Sequence, residues 1–143
     1  MSGKLAFVDT NIFIYLIEEN PLYLSQIYKL LDFLEKNKYE IITSTLTLGE
    51  ILTKPYKDKR MDLVNTYQEF FSEMKLIELN SNIASLFGKI RAEYKIKTPD
   101  AVQLASAVYA KADLFVTNDD GLSRFESEGC RVILLGESFG VEL

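Results

Sequence analysis

The sequence predicts an α/β fold in which a parallel or mostly parallel sheet carries helices on both faces. The first observation is that short apolar runs alternate with helical patterns along the whole chain. The second is the unbroken apolar run at residues 5–8, which is typical of a strand buried on both faces. The third is the bulk composition. With 143 residues, 48% of them apolar, we expect residues 1–143 to form one domain with a substantial core.

The first half of the chain begins this alternation. A short helical run at residues 12–17 follows the first strand, and residues 22–37 form a longer helix with apolar residues at helical spacing. Residues 40–44 are short and β-branched, so they form the second strand. A third helix begins at residue 45. It is expected to end before Pro55, because proline disfavours the helical conformation in the preceding residue, and the polar stretch that follows is predicted to be a loop.

The middle of the chain continues in the same way. Residues 61–74 form an amphipathic helix, and residues 75–79 form a brief strand. Asn80 or Ser81 is expected to cap the next helix, which reaches about Tyr94. The two helices therefore flank a strand.

The last part adds one helix and two strands. Thr98 is expected to cap a helix with Pro99 at its first helical position, and the alanine-rich sequence that follows lets this helix lie close to its neighbours. Residues 114–117 form a buried strand, a short helix reaches Ser127, and residues 131–135 form the last strand.

The chain contains no histidine, and its single cysteine is Cys130. These counts exclude a Ser-His-Asp triad, a histidine-ligated zinc site and an internal disulfide. Cys130 is expected to be buried at the start of a strand. Any catalysis must rest on carboxylates, hydroxyls, lysine or an oxygen-held metal, and oxygen-only sites select Mg²⁺ or Mn²⁺.

Two bulk features bear on partners and location. A net charge of −5 argues against a general nucleic-acid binder, unless bound metal offsets part of the acidity. No apolar run approaches the ~20 residues of a membrane span. The N-terminus also lacks a signal-peptide pattern, so we expect a cytoplasmic protein.

Four acidic residues fall at the predicted edge of the sheet where strands end and helices begin. Asp9 ends the first strand, Glu50 lies on the second turn of the third helix, Asp100 starts a helix and Asp119 follows the strand at 114–117. Each alone has a structural alternative as a cap, a turn former, a helix-dipole partner or a solvated residue. Because like charges repel, four of them at one edge indicate a hard cation, and metal-assisted attack of water on a phosphodiester is the predicted chemistry.

Four stretches of the chain carry these acids. They are Val8-Asp9-Thr10-Asn11, Ser44-Thr45-Leu46-Thr47-Leu48-Gly49-Glu50-Ile51-Leu52, Pro99-Asp100-Ala101-Val102-Gln103-Leu104-Ala105-Ser106-Ala107 and Phe115-Val116-Thr117-Asn118-Asp119. In this order they resemble the PIN-domain ribonucleases, which include the VapC-type toxins of toxin–antitoxin pairs. One such motif is weak, but four in the family order are fairly specific.

The resemblance implies a three-layer α/β/α fold with a five-stranded parallel sheet in the order 3-2-1-4-5. It also implies hydrolysis of RNA phosphodiester bonds with Mg²⁺ or Mn²⁺. The residues implied as catalytic groups and metal ligands are Asp9, Glu50, Asp100 and Asp119. The supporting polar residues are Asn11, Thr117 and the adjacent acid Asp120.

The same resemblance implies an RNA substrate, an antitoxin partner and a homodimer, with the apolar helices between Leu22 and Phe71 as candidate surfaces. A different class of function is a PIN-fold protein without catalysis, acting as an RNA-processing or protein-interaction module. Two basic clusters are candidate RNA contacts, although a solvated surface explains either equally well. The first cluster is Lys54, Lys57, Lys59 and Arg60, and the second is Lys89, Arg91, Lys95 and Lys97.

Overall fold

The computed structural model describes residues 3–127 and 129–136, and these residues contain one five-stranded sheet. Its strands are β1 (Lys4–Val8), β2 (Tyr39–Ser44), β3 (Leu76–Ile77), β4 (Leu114–Thr117) and β5 (Arg131–Leu134). The strand order is β3-β2-β1-β4-β5, and every adjacent pair is parallel. The predicted fold class and strand order are therefore confirmed.

Helices cover both faces of the sheet. They are α1 (Thr10–Ile17), α2 (Leu24–Lys36), α3 (Thr45–Lys57), α4 (Met61–Phe71), α5 (Ser81–Glu93) and α6 (Thr98–Tyr109). Helices α1 to α4 pack on one face, and α5 and α6 pack on the other. Within the described part of the chain, no helix has the length and apolar character needed to cross a membrane.

The position of strand β1 between two layers of helices explains why its sequence is apolar without interruption. Ala6 and Val8 face the core formed with α1 to α4, whereas Phe7 faces the core formed with α5 and α6. The Phe7 ring stacks on Phe115 of β4 with its centroid 5.4 Å away. Because successive side chains of a strand point to opposite faces, a strand between two helical layers needs apolar residues at every position.

Several helix boundaries differ from the predictions: α1 begins two residues earlier than predicted, α2 is shorter at both ends, and α4 ends at Phe71 rather than at residue 74. Helix α3 continues through Pro55 to Lys57, so the predicted end before the proline is wrong. Proline removes the backbone donor that would bond to the Ile51 carbonyl, and its ring is buried in the structure. At α6 the N-cap is Lys97, which makes no side-chain capping bond, and Thr98 is the first helical residue rather than the cap.

The region after β4 also differs. The predicted short helix reaching Ser127 is a 3₁₀ turn over Asp120–Leu122. Cys130 is buried directly before β5, as expected. The predicted irregular tail beyond residue 136 lies outside the described residues.

Tyr67 links α4 to the end of α1, and its hydroxyl donates to the Glu18 carboxylate at 2.7 Å. Burial, followed by the hydrogen bond to Glu18 and the Glu18 charge, raises the pKa of Tyr67 above its ordinary value of 10.0. We expect Tyr67→Phe to lower the free energy of unfolding by about 1.5 kcal/mol, the scale for a hydrogen bond to a charged group. Because the folded pKa is raised, the wild type keeps this advantage below pH 10 and loses it at higher pH.

Urea denaturation at pH 7 and above pH 10 measures this difference. Tyr28→Phe is the matched control, because Tyr28 is 56% exposed and its hydroxyl should contribute little. If Tyr67→Phe and Tyr28→Phe unfold at the same denaturant concentration at pH 7, the Tyr67–Glu18 bond does not stabilise the fold.

Candidate active site

Asp9 is held firmly at the carboxyl end of β1. It is the N-cap of α1, and its Oδ1 accepts a hydrogen bond from the Thr10 backbone N–H at 2.8 Å. Its Oδ2 accepts a bond from Thr117 Oγ1 at 2.8 Å, and the residue is only 8% exposed. Asp9 therefore does cap a helix, as the structural alternative predicted. The two bonds also fix the direction in which its carboxylate points.

Thr117, the last residue of β4, connects Asp9 to Asp119. Its Oγ1 donates to Asp9 and accepts from the Asp119 backbone N–H at 3.1 Å. Asp119 Oδ1 in turn accepts from the Gly121 N–H at 2.9 Å, so Asp119 also forms the predicted turn. A Cβ atom at Gly121 would lie 3.1 Å from that oxygen, so glycine leaves room for the carboxylate.

Glu50 reaches the same edge from α3. Its side chain is exposed, and its Oε1 accepts a hydrogen bond from Thr10 Oγ1 at 2.7 Å. Thr10 follows Asp9 directly in the chain, so this bond brings Glu50 beside the first acid. The position of Glu50 at this edge of the sheet was predicted from the sequence. The hydrogen bond from the Thr10 hydroxyl was not predicted.

The electrostatics of Asp9 reflect this crowding. Burial is the largest effect, and it raises the pKa of Asp9 above its ordinary value of 3.8. The hydrogen bonds from Thr117 and Thr10 oppose that rise. The negative charges of Glu50 and Asp119 raise the pKa further, which indicates that both carboxylates lie within interaction range of Asp9.

Asp100 completes the group from the first turn of α6. Burial raises its pKa above 3.8, and the charges of Asp9 and Asp119 raise it further. The Lys97 ammonium has the opposite effect. The fold therefore brings the four predicted acids to one edge of the sheet, where they repel one another.

The donor set fits a hard cation. Among the described residues, no three Asp, Glu or Cys side chains lie close enough to bind one ion together. Mg²⁺ commonly uses only one or two carboxylates and keeps several waters, so a site of this kind does not require three converging acids. The candidate ligands are carboxylates alone, and their mutual repulsion is the condition that a bound cation relieves.

The supporting residues divide into two groups. Thr117 contacts the acids directly, as described above. Asn11 lies exposed on α1, and Asp120 is exposed in the 3₁₀ turn. Asp119, and not Asp120, supplies the charge that raises the pKa of Asp9. The catalytic and metal-binding roles of all these residues remain predictions.

A buried polar network beneath the acids was not predicted. Gln103 of α6 accepts a bond from Ser44 Oγ through its Oε1, and its Nε2 donates to Thr47 Oγ1 at 2.6 Å and to Thr10 Oγ1 at 3.5 Å. Thr47 also accepts from Thr43 Oγ1 at 2.8 Å. One signal was available in the sequence, since Gln103 is the lone amide in a helix whose other residues after Asp100 are small or apolar.

Nearby carboxylates partly neutralise the positive charges of the first basic cluster. Lys54 Nζ lies 2.9 Å from Asp58, and Arg60 binds Asp62 at 2.8 Å. Lys57 is exposed on the last turn of α3. The predicted RNA contacts at Lys54, Lys57 and Arg60 stay predictions, and two of the three charges already have acidic partners.

Comparison with known proteins finds one matching protein family and several solved structures with a similar fold. A family model described as PIN domain matches residues 6–128. No curated protein matches the chain. Among solved structures, a chain of VapBC2 from Rickettsia felis bound to a DNA fragment from its promoter aligns with a TM-score of 0.73 and 23% identity, covering 91% of this chain and 98% of the other.

Two further structures give similar results. A chain of a toxin–antitoxin complex from Klebsiella pneumoniae aligns with a TM-score of 0.73 and 24% identity, covering 93% of this chain and 99% of the other. A chain of VapBC-5, of the VapBC family of toxin–antitoxin systems from Mycobacterium tuberculosis, aligns with a TM-score of 0.63 and 15% identity, covering 91% and 98%. At these identities the likeness establishes the fold.

Proposed function

The chain belongs to the PIN domain family, and from this premise we propose that it is a metal-dependent endoribonuclease that hydrolyses RNA phosphodiester bonds. The observation that carries the proposal is the placement of four carboxylates at the carboxyl edge of one parallel sheet, where their charges interact. The proposed catalytic residues and metal ligands are Asp9, Glu50, Asp100 and Asp119.

The chain's own residues set the geometry of this site. Asp9 and Glu50 are each oriented by a hydrogen bond from Thr10, through its backbone N–H and its hydroxyl respectively. Thr117 fixes the second oxygen of Asp9. A bound Mg²⁺ or Mn²⁺ would supply an activated water and stabilise charge on the phosphate oxygens. No histidine base is required, which agrees with a chain that has none.

We expect cleavage of RNA to require Mg²⁺ or Mn²⁺ and to leave 5′-phosphate and 3′-hydroxyl ends. The measurement is gel analysis of end-labelled RNA after incubation with the full chain, with either ion or with excess chelator. Re-addition of Mn²⁺ after chelation is the control for irreversible loss of activity. Undiminished cleavage in chelator would contradict the proposal, and so would cyclic-phosphate ends, which indicate attack by the ribose 2′-hydroxyl.

The non-catalytic module remains the second candidate because of one observation. Within the part of the chain that the structure describes, no three acids converge to bind an ion directly. A module without a working site should show no shift in melting temperature with Mn²⁺, whereas a metal-binding enzyme should be stabilised increasingly as the Mn²⁺ concentration rises above Kd.

We further propose that the protein is the toxin of a toxin–antitoxin pair and forms a homodimer. The fold likeness to chains from toxin–antitoxin complexes supports the first point. Exposed apolar side chains within the predicted surface support a protein interface there. They are Leu22, Tyr28, Tyr56, Met61 and Phe70. Purification from the native host, with mass determination of the complex, tests both points together.

A further inference from the structure

A surface cavity of about 380 Å³ lies on the loop that connects α5 to α6. Its lining is dominated by positive charge and contains no carboxylate. The lining residues are Arg91, Tyr94, Lys95, Ile96 and Lys97. The cavity is therefore locally positive although the net charge of the chain is −5.

The fold holds this loop in place. Arg91 Nε donates to the Ile96 carbonyl at 3.3 Å, and the Ile96 side chain is buried with 6% exposure. From the other side, Arg124 Nη2 donates to the Lys95 carbonyl at 3.0 Å. The Tyr94 ring packs against Phe125 with its centroid 5.4 Å away. The cations are therefore presented on a backbone that is fixed at several points.

Within the described part of the chain, the charges of this cavity are not paired with a carboxylate at contact distance. Among residues 3–127 and 129–136, Arg91, Lys95 and Lys97 form no ion pair, whereas Lys54 and Arg60 of the first basic cluster do. An uncompensated group of cations attracts anions more strongly than a paired one, because a paired charge is already partly neutralised.

The cavity also adjoins the carboxylate edge. Lys97 is the N-cap of α6, and Asp100 lies in the first turn of the same helix, about 5 Å further along its axis. A polyanion that approaches the acids through a bound cation would thus meet these positive side chains next.

We propose that this cavity binds a backbone phosphate of the RNA strand, next to the phosphodiester that is cleaved at the carboxylate edge. The inference rests on the proposed ribonuclease function and identifies which of the two basic clusters contacts the substrate. Lysine and arginine are the side chains that bind nucleic-acid phosphates, and such contacts make binding salt-dependent without reading sequence.

The test compares two charge-matched double variants of the full chain. Lys95→Gln/Lys97→Gln removes two positive charges from the cavity, at exposed positions where folding should be unaffected. Lys75→Gln/Lys111→Gln removes two exposed positive charges at the opposite edge, where β3 and β4 begin. Binding of a mixed-sequence single-stranded RNA is followed by fluorescence anisotropy in chelator, where cleavage does not interfere, over a range of salt concentrations.

For the cavity variant we expect the slope of log K against log salt to fall by about 0.7, the value for one lost phosphate contact, and the affinity at 0.15 M salt to fall about fourfold. The control variant should retain the wild-type slope and affinity. Equal weakening in both variants would overturn the proposal, because it would reflect net charge alone. Unchanged binding in the cavity variant would also overturn it.

Cleavage is measured separately, with Mn²⁺ present. We expect the cavity variant to raise KM by a larger factor than it lowers kcat, because the lost contact positions the strand away from the reacting bond. If the wild type binds RNA through the cavity but never cleaves it, the ribonuclease proposal fails and the phosphate site stands. If the wild type cleaves RNA and the cavity variant does so with an unchanged KM, the phosphate site fails and the ribonuclease proposal stands.

Discussion

Asp9→Asn and Asp100→Asn should each lower the rate of metal-dependent RNA cleavage by roughly a thousandfold, the scale for removing one member of a catalytic group. Each change removes one negative charge and one candidate metal ligand while keeping the side chain's shape. Both residues take part in the carboxylate group, where neighbouring negative charges oppose the ionisation of each. The loss should therefore appear with either metal ion.

Without metal, the same variants should unfold at the wild-type temperature or above it. Burial and neighbouring carboxylates raise the pKa of Asp9 and of Asp100 above 3.8, so both ionised groups are less favourable in the folded state than in the unfolded one. Below pH 3.8 both carboxyls are protonated in the folded and the unfolded state, and the protein avoids the cost of burying their charges. As the pH rises through their folded pKa values, this cost appears and the free energy of unfolding falls. At neutral pH the asparagine variants avoid this penalty, and an asparagine in place of Asp9 keeps the ability to cap α1.

Adding Mn²⁺ distinguishes an acid that binds the ion from an acid that only caps a helix. Stabilisation by Mn²⁺ depends on the ratio of ion concentration to Kd, so loss of a ligand should shrink the rise in melting temperature. Asp32→Asn is the matched control, because Asp32 is an exposed acid on α2 whose partner is Lys36. If Asp9→Asn and Asp100→Asn keep near-full activity and the full Mn²⁺ shift, these acids are scaffold and the metal-site assignment is wrong.

The fold could be predicted because its central strand is buried on both faces, which restricts the residues that it can contain. A strand such as Lys4–Val8, buried between two helical layers, needs apolar residues on both faces, and that requirement is written directly into the sequence. The carboxylates could be predicted for a related reason. Parallel strands end at one edge, so Asp9 and Asp119, which follow β1 and β4, had to lie near each other.

The boundaries that were missed depend on tertiary context. Pro55 was expected to stop a helix, but a proline in the final turn removes a single bond, and its ring is buried in the structure. Thr98 has the chemistry of a cap, yet the chain enters α6 one residue earlier, at Lys97. Neither outcome is visible in a local pattern, because each depends on how the helix packs.

The sequence marked Gln103 as unusual but could not identify its partners, since they come from three other helices or strands. Its amide joins Ser44 at the end of β2, Thr47 on α3 and Thr10 on α1. These residues are distant in sequence, and their pairing follows only from the packing of α6. Gln103 thereby lies behind the Thr10 hydroxyl that holds Glu50.

Gln103→Leu should lower the free energy of unfolding by about 2–3 kcal/mol and reduce kcat roughly tenfold. Leucine fills a similar volume but leaves the buried Ser44 hydroxyl without its acceptor, and an unsatisfied buried polar group costs about 1–3 kcal/mol in addition to the lost bonds. The activity should fall because Thr10 loses a partner and holds Glu50 less firmly, and the loss of an outer-shell partner typically costs about 10–100-fold.

Ser106→Ala is the matched control for this change. Ser106 lies on the same helix and is as buried as Gln103, at 1% exposure each, but its hydroxyl bonds only to the Val102 carbonyl one turn earlier at 2.7 Å. Its removal should leave kcat unchanged and cost less than ~1 kcal/mol, because the Val102 carbonyl keeps its helical partner. Urea denaturation and single-turnover cleavage, both well below the melting temperature, measure the two effects. A Gln103→Leu variant as stable and as active as Ser106→Ala would show that the network neither supports the fold nor positions Glu50.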